Sequence, residues 1–207
     1  GQAGARLVDD KLRFYSSRYS TSSTPVPGIN PSFVGEGSAH VKDYAGRVGL
    51  QYDVNDSTHA YVTYSRGYKG PAFNVFFNHV APDNAVPIDE ETSDSFEAGV
   101  KSQFADNRIR LNASVFQVTY DGFQANNFIV VNGTTISNLT NAGQVRSTGF
   151  ELDALANPVE GLDLFGSVAY ADAKVRKFNP NPLTNAPDAR NGTKLPLAPA
   201  WSWNIGA

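Results

Sequence analysis

The chain has 207 residues, no Cys, no Met and a formal net charge of -3. Zero Cys removes a disulfide framework, thiolate catalysis and Cys-based metal sites together, and scattered Lys and Arg in a mildly acidic chain argue against nucleic acid as a partner. With 12% aromatics, 18 Gly and 12 Pro, the composition fits many β-strands joined by loops and leaves little room for amphipathic helices.

Residues 1–8 are too irregular to place. Lys11 to Tyr19 reads as a strand, and a Ser/Thr/Pro/Gly stretch from Ser20 to Ser38 follows. His40 to Asp53 is the clearest strand. Within it Tyr44, Gly46, Val48, Leu50 and Tyr52 alternate with Ala45, Arg47, Gly49 and Gln51. A period of two puts the two sets on opposite faces. The apolar face, with a tyrosine at each end, fits either a second sheet in a soluble sandwich or lipid between two aromatic girdles.

Val54-Asn55-Asp56-Ser57 turns the chain into Thr58 to Lys69, and a long Pro/Asn-rich segment runs from Gly70 to Thr92. Phe96, Ala98, Val100 and Phe104 then alternate with Glu97, Gly99, Lys101 and Gln103. Ala105-Asp106-Asn107 is a tight turn into Arg108 to Tyr120, where Leu111, Ala113 and Val115 oppose Arg110, Asn112 and Ser114. The phase blurs at Phe116, Val118 and Tyr120, which predicts a bulge or a rise out of the membrane. Asp121 to Asn141 is long and carries the hairpin dipeptide Asn132-Gly133. Phe150, Leu152 and Ala154 alternate with Gly149, Glu151 and Asp153. Asn157 to Gly161 turns into Leu162, Leu164, Gly166, Val168 and Tyr170. Val175 to Lys194 is a last long loop, and Trp201, Trp203 and Ile205 open an eighth strand.

The connections alternate long and short. That parity is the topology of bacterial outer-membrane barrels, whereas Greek-key sandwiches mix connection lengths. The absence of a charged-then-apolar leader and of an apolar run of about 18 residues leaves this open, because a barrel disperses its apolar residues. Gly1 in place of Met, and an end at Ala207 inside a strand pattern, point to a piece of a larger protein. The expected fold is all-β: an antiparallel up-and-down transmembrane β-barrel segment of about eight strands.

The faces nominate candidate residues. Arg47, Gln51, Glu97, Lys101, Arg110, Glu151 and Asp153 are expected to face the lumen, because charge on the lipid face costs about 2–4 kcal/mol for Arg or Lys at the midplane. They either line a translocation path or, more plainly, form a polar network with whatever fills the barrel. His40, His59 and His79 are too widely spaced for a metal site. Asp89-Glu90-Glu91 with Asp94 lacks the surrounding pattern of an oxygen-ligand loop and reads as a solvated loop end. Asn132-Gly133-Thr134 and similar triplets read as accidents of loop composition. No phosphate loop, nucleophile elbow or Ser/His/Asp order is present, and no cofactor or metal is expected.

The run Tyr61-Val62-Thr63-Tyr64-Ser65-Arg66-Gly67-Tyr68-Lys69-Gly70-Pro71-Ala72-Phe73-Asn74 resembles a strand-and-loop segment of TonB-dependent outer-membrane receptors. Four further stretches resemble the same family in the same order. They are Glu91 with Ser95 to Lys101; Arg110 to Phe116 through Tyr120 and Gln124; Asn141-Ala142-Gly143 with Thr148 to Leu152; and Gly161-Leu162 with Ala169 to Ala173. The resemblance covers roughly Val41 to Ala207. It implies a barrel of about 22 strands in the bacterial outer membrane, filled by an N-terminal plug. Such a receptor takes up scarce chelates such as ferric siderophores and is driven by the inner-membrane TonB complex.

The implied partners are outer-membrane lipid, the receptor's own plug domain and, through the plug, the TonB complex. Residues 1–207 are then a partial barrel domain without plug, coupling box or C-terminal strands. The implied role is transport, with no enzyme activity. Tyr68, Lys69, Phe73 and Asn74 are candidates for ligand contact at the outer mouth; their plainer role is to anchor the strand end as the chain leaves the sheet. Two alternatives stand beside this reading: a soluble or surface-displayed β-domain binding carbohydrate, and a small outer-membrane barrel hydrolase. A plug of about 100–150 residues upstream in the parent frame would decide for the receptor.

Overall fold

The computed structural model describes residues 1–19, 33–74, 86–131, 134–178 and 188–207, with the backbone alone at 18, 33, 127–131 and 134–138. Loop positions such as Asn78, His79, Asn132-Gly133 and Asn185 lie outside the described residues. The described residues form ten strands in chain order: β1 (Gln2–Arg18), β2 (Phe33–Asn55), β3 (Thr58–Lys69), β4 (Glu91–Phe104), β5 (Ile109–Asp121), β6 (Gln124–Val131), β7 (Thr134–Asn141), β8 (Gly143–Val159), β9 (Leu162–Phe178) and β10 (Trp201–Gly206). Eight of them form one antiparallel sheet, ordered β1-β2-β3-β4-β5-β8-β9-β10, and β6-β7 is a separate hairpin. Short turns join β2 to β3, β4 to β5 and β8 to β9. The strand ends joined by the longer connections lie at the opposite end.

Register carries the alternation across the sheet. Leu50 lies opposite Val62, which lies opposite Ala98, then Val115, Phe150, Tyr170 and Trp201. That face is solvent-accessible, Leu50 at 64%, and no second sheet covers it among the described residues. A sandwich would bury it; a barrel wall turns it to lipid. On this face Tyr44, Tyr64, Phe96, Phe150, Tyr170 and Trp201 step obliquely across the strands. The obliqueness is what tilted barrel strands give an aromatic girdle.

Four sequence expectations are corrected. Residues 1–8 belong to β1, with Gln2 opposite Gly49 and Leu7 opposite Tyr44; Ala3, Gly4 and Ala5 are too small to show the period. The stretch expected as loop to Ser38 is strand from Phe33, because pairing with β1 outweighs the weak propensity of Gly35 and Gly37. Strand β9 likewise runs through Val175 to Phe178. No bulge interrupts β5: its register with β4 and β8 is unbroken to Tyr120. Phe116 is large on the polar face because its ring lies over Gly149. The register shifts sit at Asp53/Asn55, Gln144/Val145 and Ala156/Val159.

The β4–β5 turn is left-handed at three consecutive non-glycine residues: Ala105, Asp106 and Asn107, with φ of 54°, 55° and 66°. Asp and Asn tolerate that region through their short polar side chains; Ala does not.

Strands β1 and β10 form the two edges of the sheet, and each presents unpaired backbone groups. Expressed alone without detergent, these 207 residues are expected to aggregate, since the exposed apolar face exceeds what a soluble monomer tolerates. Size-exclusion chromatography with circular dichroism checks this; a monodisperse, cooperatively melting monomer would defeat the wall reading.

Candidate functional site

All seven expected inward residues fall on one face of the sheet, opposite Val48 and Leu50. Arg47 lies across from Ser65 and Gln51 from Tyr61. Glu97 lies across from Thr63 and Lys101 from His59. Arg110 faces Gln103 and Leu155, while Glu151 faces Ser114 and Asp153 faces Asn112. One register row of this face runs Asp53, His59, Lys101, Asn112, Asp153, Ser167, Asn204. It is a polar belt across seven strands.

The belt is knitted by short bonds. His59 Nδ1 and Asp53 Oδ1 are 2.7 Å apart, and Gln51 donates to the same oxygen at 3.2 Å. Asn112 donates to Asp153 at 2.9 Å, and Asn204 to Ser167 at 2.7 Å. One row above, the Tyr61 hydroxyl donates to Glu97 at 2.6 Å while the Lys101 ammonium stands 5.5 Å from the Tyr61 ring centre. Together Arg47, Gln51, His59, Tyr61, Glu97 and Lys101 line an open cleft of about 400 Å³. It offers both signs of charge and many hydrogen-bond groups to whatever lies against the wall.

At the long-loop end, β3 leaves the sheet through Tyr68 to Asn74. The Tyr68 hydroxyl donates to Asp10 at 3.4 Å, and Lys69 pairs with Glu91 at 3.6 Å. Phe73, 6% exposed, stacks on Phe14 with ring centres 4.9 Å apart, and Asn74 is also buried. Ala72 bridges to Ile88. Burial is concentrated at this end: Phe73, Ile88, Ala142, Val145 and Val175 are the buried apolar residues among those described.

Sequence reasoning missed the latch that closes this end. The Gln124 side chain donates to the Gly70 and Asp89 carbonyls, both at 2.9 Å, and its backbone N–H donates to Glu91 at 2.7 Å. Asn141, opposite Gln124 in the β6–β7 ladder, donates to the Asp89 and Gly122 carbonyls at 2.9 and 2.8 Å and accepts from the Asp89 N–H at 2.8 Å. Two amides at the base of one hairpin thus tie down both ends of the β3–β4 connection. The signal available in sequence was their placement, one on each side of the expected hairpin.

The acidic run Asp89 to Glu91 is drawn into the latch, and no group of three or more metal-ligating side chains converges among the described residues. His40 pairs with Asp9 at 2.7 Å on β1–β2, 13 residues along β2 from the Asp53 that pairs with His59. Beyond the wall, Arg190 lies over the Phe178 ring at 3.4 Å and grips Asp188 at 2.7–2.8 Å. The hydrogen bonds and charge of Arg190 hold the Asp188 carboxyl down at about 2.

Among solved structures, the fold is similar to that of the ferric yersiniabactin uptake receptor FyuA from Yersinia pestis. The TM-score is 0.72 at 21% identity, over 97% of this chain and 27% of that one. The siderophore receptor PiuA from Acinetobacter baumannii gives 0.66 at 18%, over 98% and 27%. In sequence, the pesticin receptor of Yersinia pestis is 24% identical over 200 residues, 96% of this chain and 26% of its own length. The chain thus spans about a quarter of the length of these relatives. The family model described as TonB dependent receptor-like, beta-barrel, matches residues 1–207 from end to end, and the chain belongs to that family.

Proposed function

We propose that this chain is wall and outer loops of an outer-membrane receptor that imports a scarce chelate such as a ferric siderophore. The family is one of transport receptors, and relatives carry names such as siderophore receptor and ferric yersiniabactin uptake receptor. The observation that carries the reading is the single-layer sheet itself. One face is apolar and carries an aromatic row, the other is a polar belt, and the short turns β2–β3, β4–β5 and β8–β9 of the eight-stranded sheet lie at one end.

In this reading Arg47, Gln51, Glu97, Lys101, Arg110, Glu151 and Asp153 face the lumen and meet a plug domain carried elsewhere in the parent. The plug couples to the inner-membrane TonB complex. Tyr68 and Lys69 stand at the mouth, and Phe73 and Asn74 set the direction in which the β3–β4 loop departs. The wall performs no chemistry: it holds the plug while the long loops capture ligand.

Cysteine labelling in the full-length parent tests this. Cysteines at Asn78, Asn132 or Asn185 are expected to react with an impermeant thiol reagent on intact cells, and a bulky label there to slow TonB-dependent uptake of radiolabelled ferric chelate. Cysteines at Asn55, Asn107 or Asn157 should react only once the outer membrane is opened. Labelling of the short-turn sites on intact cells would reverse the topology; uptake indifferent to bulky labels at all three of these loop sites would remove the role of those loops in capture.

A further inference from the structure

Separate stretches of chain meet at one backbone carbonyl. The Asp89 C=O accepts from Gln124 Nε2 and from Asn141 Nδ2, both at 2.9 Å, so both of its lone pairs are filled. The Asp89 N–H donates to Asn141 Oδ1 at 2.8 Å. Each amide also donates a second time, Gln124 to the Gly70 carbonyl at 2.9 Å and Asn141 to the Gly122 carbonyl at 2.8 Å. The hydrogens of both amides are fully used.

Each connection is closed at its base by backbone bonds of its own. Ala72 and Ile88 exchange N–H···O bonds of 3.0 and 2.7 Å, which join the outgoing and returning limbs of the β3–β4 connection. Phe123 donates to Gly143 at 2.9 Å and Ala142 to Phe123 at 2.6 Å, which does the same beneath β6–β7. The two amides lie between these necks. Gly122, at φ 66°, lets the necks touch: a Cβ there would stand 2.5 Å from the Glu90 carbonyl oxygen.

This arrangement favours opening both necks or neither. Gln124 is buried, and a buried donor or acceptor that loses its partner keeps its desolvation penalty. Pulling Asp89 away alone would strand both amides; opening both necks together lets water reach every group. Among the described residues the returning limb of the β9–β10 connection is tied differently. Its bonds, Val175 N–H to Thr193 and Leu195 N–H to Ala173, both 2.9 Å, go to β9.

We propose that Gln124 and Asn141 are positioning residues that make the bases of the β3–β4 connection and the β6–β7 hairpin one cooperative unit, so that whatever displaces one displaces the other. Placing that unit at the mouth of a receptor rests on the function proposed above; the unit itself does not. In that setting a chelate that acts on either base acts on both, while the β9–β10 side responds alone.

Hydrogen exchange of the full-length receptor in nonionic detergent tests this without a ligand, read at single amides by mass spectrometry with electron-transfer fragmentation. Gln124→Leu keeps the bulk of the side chain and removes its donors. It should speed exchange about 10- to 100-fold at Phe123 and Ala142, in the hairpin base, and by the same factor at Ile88, in the other connection. Ala171, Leu195 and Gln103 donate to Ala200, Ala173 and Ser57. They should keep their wild-type rates, which also shows that the wall is folded. Asn141→Asp retains an oxygen for the Asp89 N–H and loses both donations. It should speed the same three amides by one smaller, shared factor, and it decides the question if Gln124→Leu does not fold. Faster exchange at Phe123 and Ala142 with Ile88 unchanged overturns the proposal, since a side chain that only packs its own hairpin would do that. Unchanged exchange at all three overturns it as well. The sidedness of the loops is tested separately by the cysteine labels: labelling of the short-turn sites on intact cells would move the unit away from the mouth and leave the shared exchange factor standing.

Discussion

Val48→Arg in the full-length receptor is expected to cost about 2–4 kcal/mol of folding stability in a bilayer, Leu50→Arg somewhat less, and Gln51→Arg under about 1 kcal/mol. The order follows from geometry. Tyr44 and Tyr52 bracket the apolar face of β2, and Val48 lies midway between them. Eight residues at 3.4 Å, tilted by about 40°, span about 21 Å, close to the height of a barrel's apolar band. An arginine at Val48 is therefore at the midplane with the longest reach to water; at Leu50 it can bend toward the Tyr52 interface. Gln51 points the other way, into a cleft that already holds Glu97, and its amide donates to Asp53 at 3.2 Å. Urea titration of refolding into vesicles measures all three. If Gln51→Arg costs as much as Val48→Arg, both faces of the wall are wet.

Gly149→Val should cost about 3 kcal/mol or more, the upper range for forcing atoms into an occupied space. A Cβ at Gly149 would collide with the Tyr170 carbonyl oxygen and stand 2.8 Å from Phe116 Cζ. The ring can swing aside, but the carbonyl belongs to the β8–β9 ladder. Phe116→Ala should therefore not rescue Gly149→Val, and rescue would show that the ring was the obstacle. Gly166→Val on β9 is the control: its nearest neighbour is the Asn204 carbonyl oxygen at 3.5 Å. That position on the apolar face should accept valine within about 1 kcal/mol, as a strand usually does.

Legibility in the sequence followed side-chain contrast. The centre of β2 declares itself because tyrosine, valine and leucine alternate with arginine, glycine and glutamine. At Ala3, Gly4 and Ala5, and again at Gly35 and Gly37, both faces are small, and only pairing between β1 and β2 shows that strands are there. At Phe116 both faces are large, and the period blurred although the register did not. The polar belt was legible because one period of two generates it on every strand. The latch was not: Gln124 binds a backbone carbonyl 54 residues away, at Gly70, and a carbonyl carries no side-chain signature to read.

Tyr61 lies across Gly99, whose Cβ would meet its ring at 2.6 Å, as Phe116 lies across Gly149 and Phe165 across Gly206. Each ring covers a position with no side chain of its own, so it reclines along the backbone instead of standing off it. Where such pairs occur the polar face is one ring thick, and it sits lower by roughly the length of the side chain that is not there. A glycine in this wall is thus a unit of clearance. On β3, β4 and β5 the polar face presents flat aromatic rings set between charged groups, which stand proud like rails.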